Sequence, residues 1–334
     1  MSAYRRIRIS VAGAVFLTTA ACAQWFAQGP VVVAIEENDG VLGEDKHYTQ
    51  GFKLSYLHTD NSAPDWLKNC ANSLPAWGYS PRAIKFGTQV GQNIYTPKDQ
   101  DATQWVPDDR PYAGWLYTGF ILQRRGLTAG SRPAMESFQA DVGVVGPPAL
   151  GEQAQHWAHR DSPNGWPNQI HTEPGLALKY YRAWLFSPQR DDPRSLDFIP
   201  HAGFSLGNID TSLRVGGIIR VGINLPDDFG PQTINSLTTA AGGHSVERRA
   251  SPWGFYLFAG AEGRAVAYNE FLNGNLFRSS HHVTPETLVG EIKGGGALQY
   301  KHLEVGAGLV WISDEFKGQS GSDVFGTLFL KVKI

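Results

Sequence analysis

The sequence predicts an all-β fold, a twelve-stranded antiparallel barrel that spans a membrane once an N-terminal export segment is removed. Three observations predict it. Apolar and polar residues alternate with a period of two over a dozen strand-length stretches, the pattern of a sheet with one apolar face. The chain starts with an export-type leader. Beyond that leader no stretch approaches the roughly 18 consecutive apolar residues of a membrane helix, so helical spans are excluded.

The leader has three parts. Arg5, Arg6 and Arg8 make a positive start, Ile9 to Ala21 form an apolar run, and Ala21-Cys22-Ala23 is a small-residue cleavage pattern. The run is about half the ~20 residues a spanning helix needs. Residues 1–23 are therefore expected to be a signal peptide and 24–334 the mature barrel. Lipidation of Cys22 is an alternative that Thr19, Ala20 and Ala21 fit only loosely. The chain carries 29 basic and 31 acidic residues; losing three Arg leaves 26 against 31, a net −5. No basic stripe points to nucleic acid. Cys70 is the one cysteine outside the leader, so no intramolecular disulfide is expected in the mature chain.

Twelve segments carry the strand pattern: 31–37, 47–58, 83–95, 112–124, 135–145, 173–186, 196–207, 212–223, 253–268, 286–296, 298–313 and 322–334. In the second, Tyr48, Phe52, Leu54 and Tyr56 share one face, opposite Thr49, Gly51, Lys53 and Ser55. In the last, Leu328, Leu330, Val332 and Ile334 oppose Thr327, Phe329, Lys331 and Lys333. Segments of this length suit tilted membrane strands of about 9–11 residues. One apolar and one small or polar face suits a wall between lipid and a polar lumen. Trp77, Tyr95, Trp115, Trp184, Trp253 and Tyr268 lie near segment ends and are expected in interfacial girdles. A soluble β-sandwich or barrel also alternates, but lacks a reason for the leader and the long strands.

An even strand count puts both termini on the periplasmic side and gives every connection a direction. Residues 38–46, 96–111 and 146–172 then share the outer end. Residues 59–82 and 224–250 fall at the periplasmic end, where turns are usually short; 64–76 is expected to hold a small helix.

The outer-end connections are rich in chemistry. The first includes Glu36-Glu37-Asn38-Asp39-Gly40 and Asp45 to Thr49. The second is Pro107 to Trp115, with Asp109-Arg110-Pro111. The third is Gly151 to Arg160, with His156 and His159. Each has a plain reading. Asn-Asp-Gly is a common turn, two His three apart are weak as a metal pair, and Asp-Arg before Pro can simply close a loop. No Gly-x-Ser-x-Gly elbow is present, and Cys70 and His244-Ser245 lie away from these clusters. A hydrolase built from these residues would use water activated by a His base, with His159 taking the proton. Asp39 and nearby carbonyl oxygens suit a hard cation such as Ca²⁺.

Six motifs in order carry a further implication: Asn38-Asp39, His47-Tyr48-Thr49-Gln50-Gly51, Asn93-Ile94-Tyr95-Thr96-Pro97, Asp109-Arg110-Pro111-Tyr112-Ala113-Gly114-Trp115, Val144-Val145-Gly146-Pro147, and Gly151-Glu152-Gln153 through His159-Arg160 to Trp166-Pro167-Asn168-Gln169. Together they resemble the lipid A 3'-O-deacylase family of outer-membrane proteins, most densely over 31–186. The resemblance implies a twelve-stranded monomeric barrel in the bacterial outer membrane. It implies a Ca²⁺-dependent ester hydrolase acting on the 3'-linked acyloxyacyl group of lipid A, the lipid part of lipopolysaccharide. The family's Asn-Asp pair falls on Asn38 and Asp39, its strand-two Thr on Thr49, and its Gln-x-x-x-His on Gln155 and His159, with His159 as general base. The family's acid after the His has no clear match; Asp161 and Glu173 are substitutes. Its basic pair after the third strand is replaced by Lys98 or Arg110 as substrate-binding residues. Two other functions fit the same sequence less well: a non-enzymatic channel or structural barrel, and a periplasmic hydrolase on a soluble barrel.

Overall fold

The structure, a computed structural model, describes residues 29–40, 46–158, 163–187, 194–239 and 251–334. The expected signal peptide lies outside the described residues. Twelve strands follow one another: β1 Val31–Asn38, β2 His47–Leu57, β3 Tyr79–Thr96, β4 Ala113–Thr128, β5 Pro133–Val145 and β6 Glu173–Trp184, then β7 Arg194–Gly207, β8 Asp210–Ile223, β9 Trp253–Asn269, β10 Leu288–Tyr300, β11 Leu303–Ile312 and β12 Asp323–Lys333. Each pairs antiparallel with its sequence neighbours. β1 closes onto β12, with Val31 opposite Lys333 and Asn38 opposite Gly326. Closure leaves no strand edge unpaired. Helices α1 (Asp65–Ser73), α2 (Gly151–Ala158) and α3 (Glu270–Asn273) lie in connections. Ile334 N donates to Pro30 O at 3.0 Å, so the start of β1 and the end of β12 meet at one end of the barrel.

The alternation decides which way each side chain points. Phe52, Leu54, Leu213, Val215, Leu328 and Leu330 are exposed on the outer wall. Lys53, Ser55, Glu304 and Lys331 are buried in the lumen. An apolar belt on every side of a polar interior is what lipid requires and water does not.

The structure corrects the strand reading at three places. Tyr48 points inward, not outward with Phe52. The register shifts between Tyr48 and Gln50, so a β-bulge breaks the period of two, and Tyr48 Oη donates to buried Glu37 at 2.9 Å. Tyr95 and Trp115 are buried in the lumen instead of joining a girdle, while Trp77 and Trp253 are exposed as expected. The turn between β10 and β11 falls at Lys301-His302, with Lys301 at φ 51°, not near 297. Gly294-Gly295-Gly296 looks like a strand end but is mid-strand. A Cβ on Gly295 would lie 2.1 Å from Ala307 O, so glycine is needed for close approach.

Both long connections at the terminal end have explanations. The first holds α1, as expected. The second turns back into the barrel: residues 224–239 run up the lumen as a plug. Buried backbone there must find partners, and the lumen wall supplies them. Lys53 Nζ donates to Thr233 O and Ile234 O, Arg214 to Asn235 O, and Gln123 to Thr239 O. Ile234 N reaches Glu37 Oε1 at 2.9 Å, one residue from the end of β1. Lower down, Asp228 sits between Arg220 and Lys331, the latter at 2.7 Å. Beyond the plug tip the remaining cavity is about 60 Å³, lined by Tyr48, Tyr95, Trp115 and Arg264 among others. That is room for one or two waters.

Candidate functional site

The site is built from the end of the barrel opposite the termini. At the end of β1, Asn38 Oδ1 accepts from Gly40 N at 2.7 Å, a side chain serving its own turn. Asp39 is buried; its N donates to Thr49 O at 3.3 Å and its Oδ2 accepts from Lys46 N at 2.7 Å. The first turn is therefore strapped to the start of β2. Thr49 is the extra residue of the bulge. It is fully buried, and its Oγ1 meets Thr96 Oγ1 at 2.7 Å.

From Thr96 a chain of side-chain hydrogen bonds crosses to the third connection. Gln100 Nε2 donates to Thr96 Oγ1 at 3.2 Å. Gln155 Nε2, from buried Gln155 on α2, donates to Gln100 Oε1 at 3.3 Å. Trp166 Nε1 donates to Gln155 Oε1 at 2.9 Å. The helix can come this close because it starts on glycine: a Cβ on Gly151 would lie 2.6 Å from the Trp166 ring. Trp166 is itself buried against Tyr112, ring centroids 5.0 Å apart. Thr49 of the wall and Gln155 of the helix, far apart in sequence, thus end in one network. His159 follows the last turn of α2, four residues beyond Gln155, and lies outside the described residues, as does Asp161.

The other expected residues go elsewhere. Arg110 is 1% exposed, stacks over Tyr95 at 4.6 Å and pairs with Glu315 at 3.2 Å. Its Nε and Nη2 make no hydrogen bond among the described residues. Lys98 Nζ reaches Ser320 Oγ at 3.1 Å on the surface. Glu173 accepts from Leu276 N and Phe277 N, so it holds the connection after α3. His156 is exposed and lies 3.8 Å from Glu152, on a different side of α2 from buried Gln155. Cys70 is exposed on α1 at the opposite end.

Charge is concentrated beside the network. His47 is buried between Asp323 at 2.7 Å and Asp109 at 3.3 Å. Burial raises the Asp109 carboxyl, but hydrogen bonds from His47 and from Lys98 N outweigh it and hold it below the usual range. Burial likewise opposes ionisation of Glu315, and Arg110 and Arg264 overcome it. Glu270 behaves oppositely: burial first, then Glu173, pushes it up to about 8. The sequence reading missed Thr96, Gln100 and Trp166 as members of the network. Thr96 and Trp166 sat inside noted motifs; Gln100 carried no signal.

In kind, Asp39 suits a hard cation: an anionic oxygen at a strand end beside backbone carbonyls. In number, the described donors fall short of the roughly six to eight oxygens Ca²⁺ takes; among the described residues no group of three His, Cys, Asp or Glu is arranged to hold a metal ion. Residues 41–45 and 159–162, which flank the site in sequence, lie outside the described residues.

The family described as outer membrane protein LpxR matches residues 10–334. LpxR from Salmonella typhimurium is similar in structure, with 20% identity, 92% of this chain and 100% of that chain covered, and a TM-score of 0.69. At that identity the likeness shows the fold alone. The translocator domain of autotransporter NalP from Neisseria meningitidis (8% identity, 97% and 96% covered, TM-score 0.38) and the β domain of the Bordetella autotransporter BrkA (10%, 92% and 99%, 0.39) are too distant to add to it. No curated protein matches the chain.

Proposed function

Since the chain belongs to the LpxR family of outer-membrane proteins, we propose that it is a lipid A deacylase that hydrolyses the 3'-linked acyloxyacyl ester. The observation that carries the proposal is the hydrogen-bonded run from Thr49 through Thr96 and Gln100 to Gln155 and Trp166. It ties a helix to the wall at the end of the barrel that faces the outer leaflet, where lipid A lies.

His159, four residues beyond the anchored Gln155 in sequence, is assigned as general base. It takes a proton from water as the water oxygen bonds to the ester carbonyl carbon. When the tetrahedral intermediate collapses, the carbon–oxygen bond to the sugar breaks, and the same imidazole returns its proton to the departing alkoxide. No covalent enzyme intermediate is required. Asn38 and Thr49 are assigned to the polar surround of the reacting ester, Gln155 to substrate contact and to positioning the helix, and Lys98 to the rim. A Ca²⁺ ion held by Asp39 and nearby carbonyl oxygens would supply positive charge beside the developing oxyanion. A channel is disfavoured by the plugged lumen.

The test uses purified protein in detergent micelles with lipid A, following release of the acyloxyacyl acid. His159→Ala should lose at least roughly 10²-fold in rate, the lower bound of general base catalysis. Full activity in that variant would remove His159 from the mechanism. No release by the wild type, with or without Ca²⁺, would remove the substrate.

A further inference from the structure

We propose that a groove in the outer connections is a saccharide-binding subsite, holding sugar units attached to the lipid substrate on the side away from the membrane. The inference rests on the deacylase reading for its ligand and on an independent feature for its place. The groove encloses about 480 Å³ and is lined by Trp105, Asn168, Gln169, His171, Ser280 and His282, among others. That is within the size range of small-molecule sites.

The groove is held open by contacts between three connections. Asn168 Nδ2 donates to Thr103 O at 3.0 Å. His171 N donates to Asn275 Oδ1 at 2.7 Å, and Asn275 Nδ2 returns a bond to His171 O at 2.9 Å. His281 Nε2 meets Asp109 O at 2.8 Å and stands edge-on to Trp105, ring centroids 4.7 Å apart. Trp105 is nevertheless 55% exposed. A large indole fixed at the lip of a polar groove is a flat apolar platform.

The lining chemistry selects the ligand. Among the described residues no carboxylate, Lys or Arg lines the groove. It offers amides, a hydroxyl and imidazoles, groups that both give and accept hydrogen bonds, beside an aromatic face. Gln169 Oε1 has no hydrogen-bond partner among the described residues. A ring with an apolar face and a rim of hydroxyls, a sugar, matches that set; a phosphate or an acyl chain does not. The position agrees. Every lining residue lies in a connection, beyond the strand ends where Thr49 and Thr96 sit. Trp166, which anchors Gln155, runs directly into Pro167 and Asn168, so groove and candidate site share a wall.

The experiment has two arms, both with the full-length protein in micelles. In the first, lipid-free core oligosaccharide released from lipopolysaccharide by mild acid is mixed with the protein, and saturation transfer to sugar C–H protons is measured by NMR. Wild type should show transfer, and Trp105→Ala should weaken it at least tenfold. His282→Ala, at an exposed position of the same wall, should weaken it several-fold if Trp105→Ala fails to fold. In the second, deacylation of lipid A is compared with and without its attached sugars. Trp105→Ala should keep the wild-type rate on lipid A without core sugars and lose the preference for the substrate that carries them. No transfer in wild type, or equal transfer in the folded variants, overturns the subsite. If neither substrate is hydrolysed, the deacylase reading fails and the transfer arm alone decides the groove.

Discussion

Gln155 shows how much one amide can organise. Its Oε1 takes the Trp166 indole proton and its Nε2 reaches Gln100, so a helix of eight residues is fixed to the barrel wall. Replacing Trp166 with Phe keeps the ring and removes the proton. A buried acceptor left unmade costs about 1–3 kcal/mol, so deacylation should fall about tenfold or more while the heat-dependent gel shift of the folded barrel persists; an unchanged rate would mean the network is only structural. Glu270 allows a pH test outside the strands. Its carboxyl is raised to about 8 when folded, by burial first and Glu173 second. The folded state therefore holds its proton more tightly than the unfolded chain, and the stability it contributes is present below the unfolded value near 4.5 and lost as pH rises through about 8. Wild type should lose thermal stability between pH 5 and pH 9 relative to Glu270→Gln, whose amide mimics the protonated acid; parallel curves would contradict the assignment. Thr49 and Gln155, the two ends of the network that the sequence singled out, sit in short motifs. Gln100 was not singled out, because its partners at 96 and 155 are brought together only by the paths of two connections.

At the level of elements, the period of two carried most of the information. It located all twelve strands because a wall between lipid and lumen must alternate. It failed where geometry interrupts the period: at the bulge that turns Tyr48 inward, and at the triple glycine of β10, where close approach imitates a turn. The plug was the largest feature missed. Its polar, turn-rich sequence reads as a loop, and only the wall partners Lys53, Arg214, Gln123 and Glu37 make its burial tolerable. Asp228 is its electrostatic anchor, between Arg220 and Lys331. Asp228→Ala would leave Arg220 with Asp197 alone and Lys331 with Glu304 alone, a cost of up to about 3–5 kcal/mol, and should lower the unfolding midpoint in denaturant. Replacing 229–238 with a short Gly-Ser bridge should open the lumen and give conductance in planar bilayers. A closed bilayer with the bridged variant would show that the plug is not what seals the barrel.

For the whole molecule, barrel closure sets the direction of every connection. The termini and the root of the plug occupy one end, and Asp39, Thr49, Gln155 and the sugar-sized groove occupy the other. The lumen between them is filled, so chemistry is expected on the rim and not through the middle. A sealed barrel with a structured rim is suited to an enzyme whose substrate is a lipid of the outer leaflet. The most direct test is the mass spectrum of lipid A from cells carrying this chain, beside cells carrying His159→Ala at equal barrel abundance. The account predicts a species lacking the 3'-acyloxyacyl group with the wild-type chain only. Identical spectra from both strains, in detergent-solubilised outer membranes supplied with Ca²⁺, would contradict it.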